Sequence, residues 1–365
     1  MKIFGITGTN GKTTTAWILR EFLGGGGIVT TVEVDTGSRR FYSGYTTPPL
    51  ATLKAIFAEM EGNGVKNCVM EVSSHAIHQH RTGDTVFAGC AFTNLTEDHL
   101  DYHKTMAAYF EAKADLFRRL AESNPGAPAA ICTDGEYGRR LAKMCRELPL
   151  KTVTCGMEES PKELVEYIRS HCPLAGDYNV QNVLLAAALA ESVGMKRERV
   201  LEVIPRLTPR WGRLERVETE SAAEVFVDFA HTDDALANVL STVKKFTKGK
   251  VWAVFGAGGD RDTRKRPLMG KAAAECADRL VITSDNPRSE NPDEIIRMIA
   301  SGVPAGREYI VERDRRRAIY YALATAAAGD TVVVCGKGHE TTQTIGKEVL
   351  PFDDRVVCRE FRREK

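Results

Sequence analysis

The chain has no long apolar run: nothing in its 365 residues is long enough to span a bilayer. It has no signal-peptide pattern either, since Lys2 leads straight into a glycine-rich stretch instead of an apolar core. Charge of one sign is missing, because 50 Lys and Arg stand against 49 Asp and Glu for a net +1. No global field therefore recruits nucleic acid or an anionic membrane. The nine cysteines (Cys68, Cys90, Cys132, Cys145, Cys155, Cys172, Cys276, Cys335, Cys358) form no C-x-x-C pair and no zinc spacing. Most lie in apolar runs, as reduced buried thiols of a cytoplasmic protein do. There is no internal repeat and no low-complexity segment, and Gly24 to Gly27 is only a short turn. The remaining composition, 43% hydrophobic and 27% charged, is that of a soluble globular protein. Its length allows two or three domains.

What is present begins at the N-terminus. The apolar run Ile3 to Ile6 reads as a strand and Thr13 to Phe22 as a helix, with Gly8-Thr9-Asn10-Gly11-Lys12-Thr13-Thr14 between them. A strand, a glycine loop and a helix N-terminus form an anion cradle, in which backbone N–H groups and the helix dipole face phosphate. Lys12 would reach the outer phosphates and the Thr13 hydroxyl a Mg²⁺ ion. The spacing is shorter than G-x-x-x-x-G-K-[ST], which would need glycine where Ile6 stands. The flanking strand and helix favour a phosphate loop over a glycine turn with a surface lysine.

Strands and helices alternate along the rest of the chain. Strands are expected over 28–34 (turning at Gly37 into a hairpin that ends near Tyr42), 67–72, 86–92, 129–132 and 151–154. Helices are expected over 50–60, 106–120 and 176–193, with a basic amphipathic one between the last two strands. Two prolines and a glycine in 205–212 mark a boundary, giving domains 1–207 and 208–365. Beyond it, strands near 225–229, 251–255, 279–283, 308–311 and 331–335 alternate with helices. The fold class is α/β with mostly parallel sheets, whose ligands lie beyond the carboxyl ends of the strands.

The polar clusters fall at those ends. Glu71, ending an apolar strand, reads either as a Mg²⁺ ligand or as a solvated rim carboxylate. His99 and His103 have the spacing of two ligands on one helix face, and also that of solvated histidines. His75, His78 and His80 form a second cluster, but no third ligand completes a zinc set. Arg261, Arg264, Lys265, Arg266 and Arg288 suit carboxylate or phosphate recognition, or a basic surface loop. In Gly336-Lys337-Gly338-His339-Glu340, Glu340 would accept from a substrate ammonium, or the segment is a tight turn before a helix.

Eight ordered segments resemble the Mur ligase family over nearly the whole chain. They are Thr-Gly-Thr-Asn-Gly-Lys-Thr-Thr (7–14), Thr-Thr-Pro (46–48), Glu-Val-Ser-Ser-His (71–75) and Phe-Thr-Asn-Leu-Thr-Glu-Asp-His-Leu-Asp-Tyr-His (92–103), followed by Val-Asp-Phe-Ala-His-Thr (227–232), Gly-Gly-Asp-Arg-Asp (258–262), Asp-Asn-Pro-Arg (285–288) and Gly-Lys-Gly-His-Glu (336–340). The resemblance implies a P-loop-type central ATPase domain, a Rossmann-like C-terminal domain, and ATP and Mg²⁺ as cofactors. It implies that ATP converts a substrate carboxylate to an acyl phosphate, which an amino group then attacks with loss of phosphate.

The resemblance also assigns roles. Gly8, Thr9, Asn10, Gly11, Lys12, Thr13 and Thr14 would cradle phosphates; Asn179 and Asn182 would meet the adenine side; Arg213 would meet the γ-phosphate and Asp228 the ribose. Thr13, Glu71, His99 and a carbamylated Lys113 would serve Mg²⁺, and Lys12, Glu71, His99, Lys113 and His231 the catalysis. Without its carbamate, Lys113 would be a plain helix-surface lysine. Thr46, Thr47, Ser73, Gln79 and Arg81 match residues that hold a muramoyl-peptide donor. Arg261, Asp285, Asn286, Arg288, Gly336 and Glu340 would bind the acceptor, which is meso-diaminopimelate in members carrying Asp-Asn-Pro-Arg. An arginine fork suits the distal carboxylate that lysine lacks. Sites split between domains imply closure on substrate.

The sequence departs from the family at Tyr45 (usually asparagine), at Cys132-Thr133-Asp134-Gly135 (usually Asn-x-Asp-Asp) and at Asp233 (usually proline). Family members also carry a UDP-gripping domain ahead of the phosphate loop. Here the expectation is a separate UDP-binding domain or subunit, weak UDP binding, or a UDP-free carboxylate donor, as in a stand-alone ligase of cell-wall recycling or secondary metabolism. A non-catalytic ATP-binding regulator is the remaining alternative, against which Glu71, His99, Lys113, Arg213 and Asp228 together argue.

Overall fold

The structure is a computed structural model that describes residues 1–208 and 212–363. Residues 209–211, within the boundary segment expected from its prolines, lie outside the described residues. The chain divides into two compact units, Met1–Thr208 and Pro209–Lys365. Among the described residues no helix is long and apolar enough to cross a membrane.

The first unit is built on an eight-stranded sheet. Its strands are β1 (Lys2–Thr7), β2 (Gly27–Val29), β3 (Val34–Asp35), β4 (Arg40–Phe41), β5 (Asn67–Glu71), β6 (Gly89–Phe92), β7 (Pro128–Cys132) and β8 (Lys151–Cys155). Their spatial order is β4-β3-β2-β5-β1-β6-β7-β8. Pairing from β2 to β8 is parallel, and β3 and β4 add antiparallel at one edge. Parallel strands covered on both faces read as continuous apolar runs, and every residue of β6 and β7 is buried. The covering helices are α1 (Lys12–Phe22), α2 (Leu50–Gly62), α3 (Ser74–His78), α4 (Leu100–His103), α5 (Met106–Ser123), α6 (Glu136–Arg146), α7 (Lys162–His171), α8 (Asp177–Ser192) and α9 (Arg197–Val203). Thr105 caps α5, whose Tyr109, Lys113, Leu116, Phe117 and Leu120 recur at helical spacing and face inward.

Register decides what meets the glycine loop. Ile6 on β1 pairs with Glu71 on β5, and Thr7 pairs with Phe92 on β6. The loop after β1 is therefore flanked by Glu71 on one side and by Thr93 and Asn94 on the other. Glycine is required twice in it. Gly8 has φ +148°, and a Cβ there would fall 1.8 Å from Thr93 Oγ1. Gly11 has φ +82°, and a Cβ there would fall 2.3 Å from Asn182 Oδ1.

The second unit has β9 (Glu215–Arg216), β10 (Glu224–Asp228), β11 (Val251–Phe255), β12 (Arg279–Ile282), β13 (Ile310–Val311) and β14 (Thr331–Cys335) in the order β13-β12-β11-β14-β10-β9. Among the described residues of this sheet, β9 alone pairs antiparallel. A separate hairpin, β15 (Thr342–Ile345) and β16 (Glu348–Pro351), follows. The helices are α10 (Asp233–Lys244), α11 (Lys265–Cys276), α12 (Pro292–Ala300), α13 (Arg315–Thr325) and α14 (Asp354–Glu360). The chain runs outward from β11 to β13 and returns to β14 beside β11. This strand-order reversal opens a crevice at the carboxyl ends of β11 and β14.

Several expectations are corrected. The strand over 28–34 is interrupted, because Thr30 bonds Glu33 through both backbone and side chain and turns the chain. The strand over 86–92 starts only at Gly89, where pairing with Phe4 begins, and Val86 is exposed. The segment after Gly336 turns into a hairpin, not a helix. The short elements α3, α4, α9, β9, β15 and β16 carry too little periodicity to be read from sequence, whereas α7 went unread although Leu164, Val165 and Ile168 recur at helical spacing.

A buried ion pair ties the second unit together. Arg315 and Asp354 are both fully buried and form a two-pronged pair at 2.8 and 2.6 Å. Arg315 also donates to Ser284 O at 3.2 Å and Cys335 O at 2.9 Å, gripping the carboxyl ends of β12 and β14. Removing one partner leaves a buried unpaired charge. Arg315→Met is therefore expected to destabilise this unit by about 3–5 kcal/mol, and Arg315→Met with Asp354→Leu by much less. Urea titration of both variants checks this; equal losses would contradict it.

Candidate active site

The glycine loop is held by its neighbours. Thr9 N donates to Asn94 O (2.9 Å), Asn10 N to Asn94 Oδ1 (2.9 Å), and Thr93 Oγ1 to Asn10 O (2.6 Å). Gly11 precedes α1 and makes no side-chain capping hydrogen bond, and a helix N-terminus is where backbone N–H groups and the helix dipole favour an anion. Lys12 Nζ donates to Gly8 O (3.0 Å) and Thr9 O (2.8 Å). Thr14 lies in the half-buried first turn of α1.

Glu71 is 1% exposed and so is no solvated rim carboxylate. Its Oε1 accepts from Thr13 Oγ1 (2.7 Å) and Thr31 N (3.0 Å), and its Oε2 from Thr31 Oγ1 (3.3 Å). The shared-face reading of His99 and His103 fails. His99 is the N-cap of α4 with φ +54°, outside the helix proper. His103 is buried, bonds Ser74 Oγ at 2.9 Å and stacks on Tyr109. Burial lowers the His99 imidazole against the pull of Asp98, so the ring is neutral and able to ligate. A carboxylate and a hydroxyl in contact, with a neutral imidazole on a neighbouring loop, suit a hard cation. Among the described residues no three His, Cys, Asp or Glu side chains converge on one metal position. The set thus fits Mg²⁺ completed by phosphate and water, not an all-protein zinc cage.

Lys113 is not a surface lysine. It is 1% exposed and donates to Gly8 O at 2.7 Å, with its ammonium position 4.6 Å from the Tyr109 ring centroid. Burial first, then the Lys12 charge, push the amine well below its usual range, with Asp98 opposing.

On α8, Asn182 Oδ1 accepts from Thr15 Oγ1 (3.1 Å) and its Nδ2 donates to Asn179 Oδ1 (3.2 Å), placing both asparagines beside the start of α1. The residues matched to a peptide donor cluster beyond β5. Thr47 Oγ1 donates to Glu71 O (2.9 Å) and accepts from Ser73 N (3.1 Å), Ser73 caps α3, and Thr46 accepts from Thr31 (2.8 Å). Arg81 donates to Thr47 O (3.2 Å) and Gln79 Oε1 (2.6 Å), and Gln79 donates to the Tyr102 hydroxyl (3.1 Å). Tyr45, the departure from asparagine, lies half exposed with the Arg81 guanidinium 5.6 Å from its ring centroid.

In the second unit, the Arg213 guanidinium lies over the Phe229 ring at 4.7 Å, and His231 Nδ1 bonds Phe229 O at 2.8 Å. Asp228 accepts from Leu214 N (2.6 Å) and Ala230 N (2.7 Å); burial raises its carboxyl, with Arg213 opposing. Asp233, the third departure, opens α10, where an acidic first turn complements the helix dipole.

The basic loop after β11 is divided by the structure. Arg266 is fully buried in a two-pronged pair with Glu290, and Arg264 folds onto Asp262, so neither is a free surface cation. Arg288 has φ +52° and donates to Gly259 O (2.7 Å). Burial and then the Arg261 charge lower it, which identifies Arg261 as its cationic neighbour. Asp285 and Asn286 follow β12, while Gly336 and Glu340 follow β14. A Cβ on Gly336 would meet Asp285 Oδ2 at 2.3 Å. Asn286 Nδ2 donates to Glu340 Oε2 at 2.7 Å. Sequence reasoning missed Lys337, Asp98 and Tyr109. A lysine between two glycines at a strand end was the available signal for Lys337; the other two had none.

Comparison with known proteins matches this arrangement from end to end. The Mur ligase middle domain covers residues 6–190, and the Mur ligase glutamate ligase domain covers residues 212–338. The UDP-N-acetylmuramoyl-L-alanyl-D-glutamate–2,6-diaminopimelate ligase of Synechococcus elongatus is 41% identical over 98% of this chain and 76% of its own length. That of Geobacillus kaustophilus is 38% identical over 100% of this chain and 79% of its own. A solved structure of a ligase of that name is 31% identical, with TM-score 0.61, over 98% of this chain and 77% of that one. Mycobacterium tuberculosis folylpolyglutamate synthase complexed with ADP shares the fold, with TM-score 0.69 at 18% identity over 92% and 87%. With both family domains matched in chain order and the glycine loop, Glu71 and the Asp-Asn-Pro-Arg turn at their strand ends, this chain belongs to the Mur ligase family.

Proposed function

We propose that the chain is an ATP-dependent amide ligase. It activates the carboxylate of a muramoyl peptide as an acyl phosphate and couples it to meso-diaminopimelate, as in peptidoglycan stem-peptide synthesis. The single observation that carries this reading is the buried Lys113 amine on the Gly8 carbonyl. A loop that merely binds nucleotide has no use for a desolvated amine at its base.

The glycine loop and the open N-terminus of α1 receive the phosphates of ATP, with Lys12 adding positive charge. Thr13, Glu71 and His99 would hold Mg²⁺, which neutralises charge on the transferring phosphoryl group. The depressed amine of Lys113 is the nucleophilic form. The uncharged nitrogen adds to carbon dioxide and releases a proton, leaving a carbamate anion that would suit a second Mg²⁺. By the family resemblance Asn179 and Asn182 would serve the adenine, Arg213 the γ-phosphate, Asp228 the ribose and His231 the catalysis. Thr46, Thr47, Ser73, Gln79 and Arg81 hold the donor. At the acceptor end, Asp285 and Glu340 attract an ammonium, and Arg288 and Arg261 pair with a carboxylate. That combination fits the distal amino-acid centre of diaminopimelate and rejects lysine, which has no carboxylate there.

The decisive assay measures phosphate release from ATP with diaminopimelate or lysine, with and without UDP-N-acetylmuramoyl-L-alanyl-D-glutamate, and identifies products by mass. Release requiring both diaminopimelate and the UDP substrate is expected. Release with a UDP-free peptide would replace the donor, and no turnover with any pair would turn the reading to a regulatory nucleotide-binding protein.

Lys113→Ala is expected to lose activity by about 100-fold or more, as a group acting in the transition state does, with partial rescue by short carboxylic acids. Full activity would contradict the carbamate role. Lys113 also sets a pH signature. Its folded-state value is depressed, so between that value and the ordinary lysine value only the unfolded chain binds the proton. Stability therefore rises with pH across that window, by up to about 1.4 kcal/mol per unit, and is insensitive to Lys113 below it. In carbon-dioxide-free buffer, Lys113→Met should melt higher than the parent at neutral pH, with the difference shrinking as pH rises. A lower melting temperature for the variant would refute the desolvation cost.

A further inference from the structure

The crevice at the carboxyl ends of β11 and β14 holds a charged side chain that the acceptor reading has not used. Lys337 is 0% exposed. A buried ammonium loses its hydration and persists only with fixed partners. Lys337 Nζ donates to Asn286 Oδ1 at 3.0 Å and to Glu340 Oε2 at 3.2 Å. β11 lies between β12 and β14, so the strand ends that carry Asn286 and Lys337 are about 10 Å apart. The long lysine side chain spans that gap and ties the Asp-Asn-Pro-Arg turn to the Gly-Lys-Gly-His-Glu turn.

The connection orients both partners. Asn286 Oδ1 accepts from Lys337 Nζ and from Thr344 N (3.0 Å), two donors that can only face an oxygen. The amide is therefore turned with Nδ2 toward Glu340, to which it donates at 2.7 Å. Lys337 and Asn286 both take Glu340 Oε2. Glu340 Oε1 accepts no hydrogen bond among the described residues. One carboxylate oxygen is thus anchored while the other is held in a fixed direction, ready for a donor. Electrostatics act the same way. Burial and Asp285 raise the Glu340 carboxyl, and Lys337 opposes them. Burial raises Asp285 too, but Lys337, Arg315, His231 and Arg288 together outweigh it, with Lys337 the largest of the four. Without Lys337, two neighbouring carboxylates would share the crevice with less counter-charge, and Glu340 would be free to turn.

Building on the acceptor reading above, we propose that Lys337 is the positioning residue of the acceptor site: its buried ammonium locks Asn286 and Glu340 into the single arrangement that receives the distal ammonium of the amino-acid substrate. It touches no reacting atom, so its loss appears as weakened acceptor recognition and leaves the ATP half of the reaction intact.

The test is steady-state kinetics of the full chain with ATP, UDP-muramoyl dipeptide and diaminopimelate each varied, for the parent, Lys337→Met, Glu340→Gln, the double variant and Arg288→Lys. Lys337→Met is expected to raise the KM for diaminopimelate about tenfold or more while the KM values for ATP and dipeptide stay within about twofold. Because Lys337 acts through Glu340, the double variant should lie within about threefold of Glu340→Gln alone. An unchanged diaminopimelate KM in Lys337→Met, an equal rise for all three substrates, or multiplying penalties in the double would overturn the proposal. Should Lys337→Met fail to fold, the double, which removes both charges of the pair, decides against Glu340→Gln. Failure of both to fold would make Lys337 scaffold and also overturn it. Loss of the acceptor reading itself looks different: the parent shows no diaminopimelate-dependent turnover, or Arg288→Lys leaves the diaminopimelate KM unchanged, and the proposal falls with it.

Discussion

The hydrogen bond from Lys113 Nζ to the Gly8 carbonyl, 2.7 Å long and sealed from solvent, is the contact on which the first unit depends. Holding a lysine amine without water is unfavourable, and the surroundings are arranged to allow it. Tyr109, one turn earlier on α5, covers the amine with its ring, and its hydroxyl meets Thr9 Oγ1 at 3.2 Å. The loop that accepts the bond is itself fastened to Asn94 and Thr93 beyond β6. The same few residues thus set the loop's shape, the position of the amine and its protonation, and a change to any one of them reaches the others.

The second unit solves a related problem with ion pairs. The residues proposed for the acceptor sit mainly on two turns at the ends of β12 and β14, which are not neighbours in the sheet. Arg315 grips both strand ends through Ser284 O and Cys335 O, and Lys337 links the two turns themselves. Arg266 with Glu290 holds the loop between them. Each guanidinium used in this way is withdrawn from recognition. Of the four arginines in the two loops, Arg264 and Arg266 are taken by Asp262 and Glu290, and Arg261 and Arg288 are the pair that remains suited to a carboxylate.

The difference between Arg266 and Arg261 also shows how far sequence reading reaches. Both are arginines in one loop after one strand, and nothing local separates the buried one from the exposed one; the choice is made by Glu290, twenty-four residues away. His99 and His103 fail for a similar reason. Their spacing implied a shared helix face, but a left-handed backbone at His99 puts it outside the helix. By contrast, the loop from Gly8 to Thr14 was legible because strand, glycines, lysine and helix are contiguous. The long strands were legible because parallel strands buried on both faces read as apolar runs. The hairpin of β3 and β4 was legible from the turn at Gly37, whereas the two-residue β9 exists only through pairing and leaves no pattern.

By itself the sequence determined the alternation of strand and helix, the glycines at positive φ, and the ordered segments that mark the Mur ligase family. These are local or linear properties, set by side-chain period and backbone freedom. Tertiary structure alone decided which groups are ionised, which are withdrawn into ion pairs and which are turned toward a ligand. Pairing Ile6 with Glu71 brings a carboxylate from sixty-five residues away to the phosphate loop. Packing α5 under Gly8 makes an ordinary helix lysine a buried amine. Bonding Lys337 to Asn286 and Glu340 ties the turn after β12 to the turn after β14. Burial and long-range register control each of these, and neither is a property of any short stretch of chain.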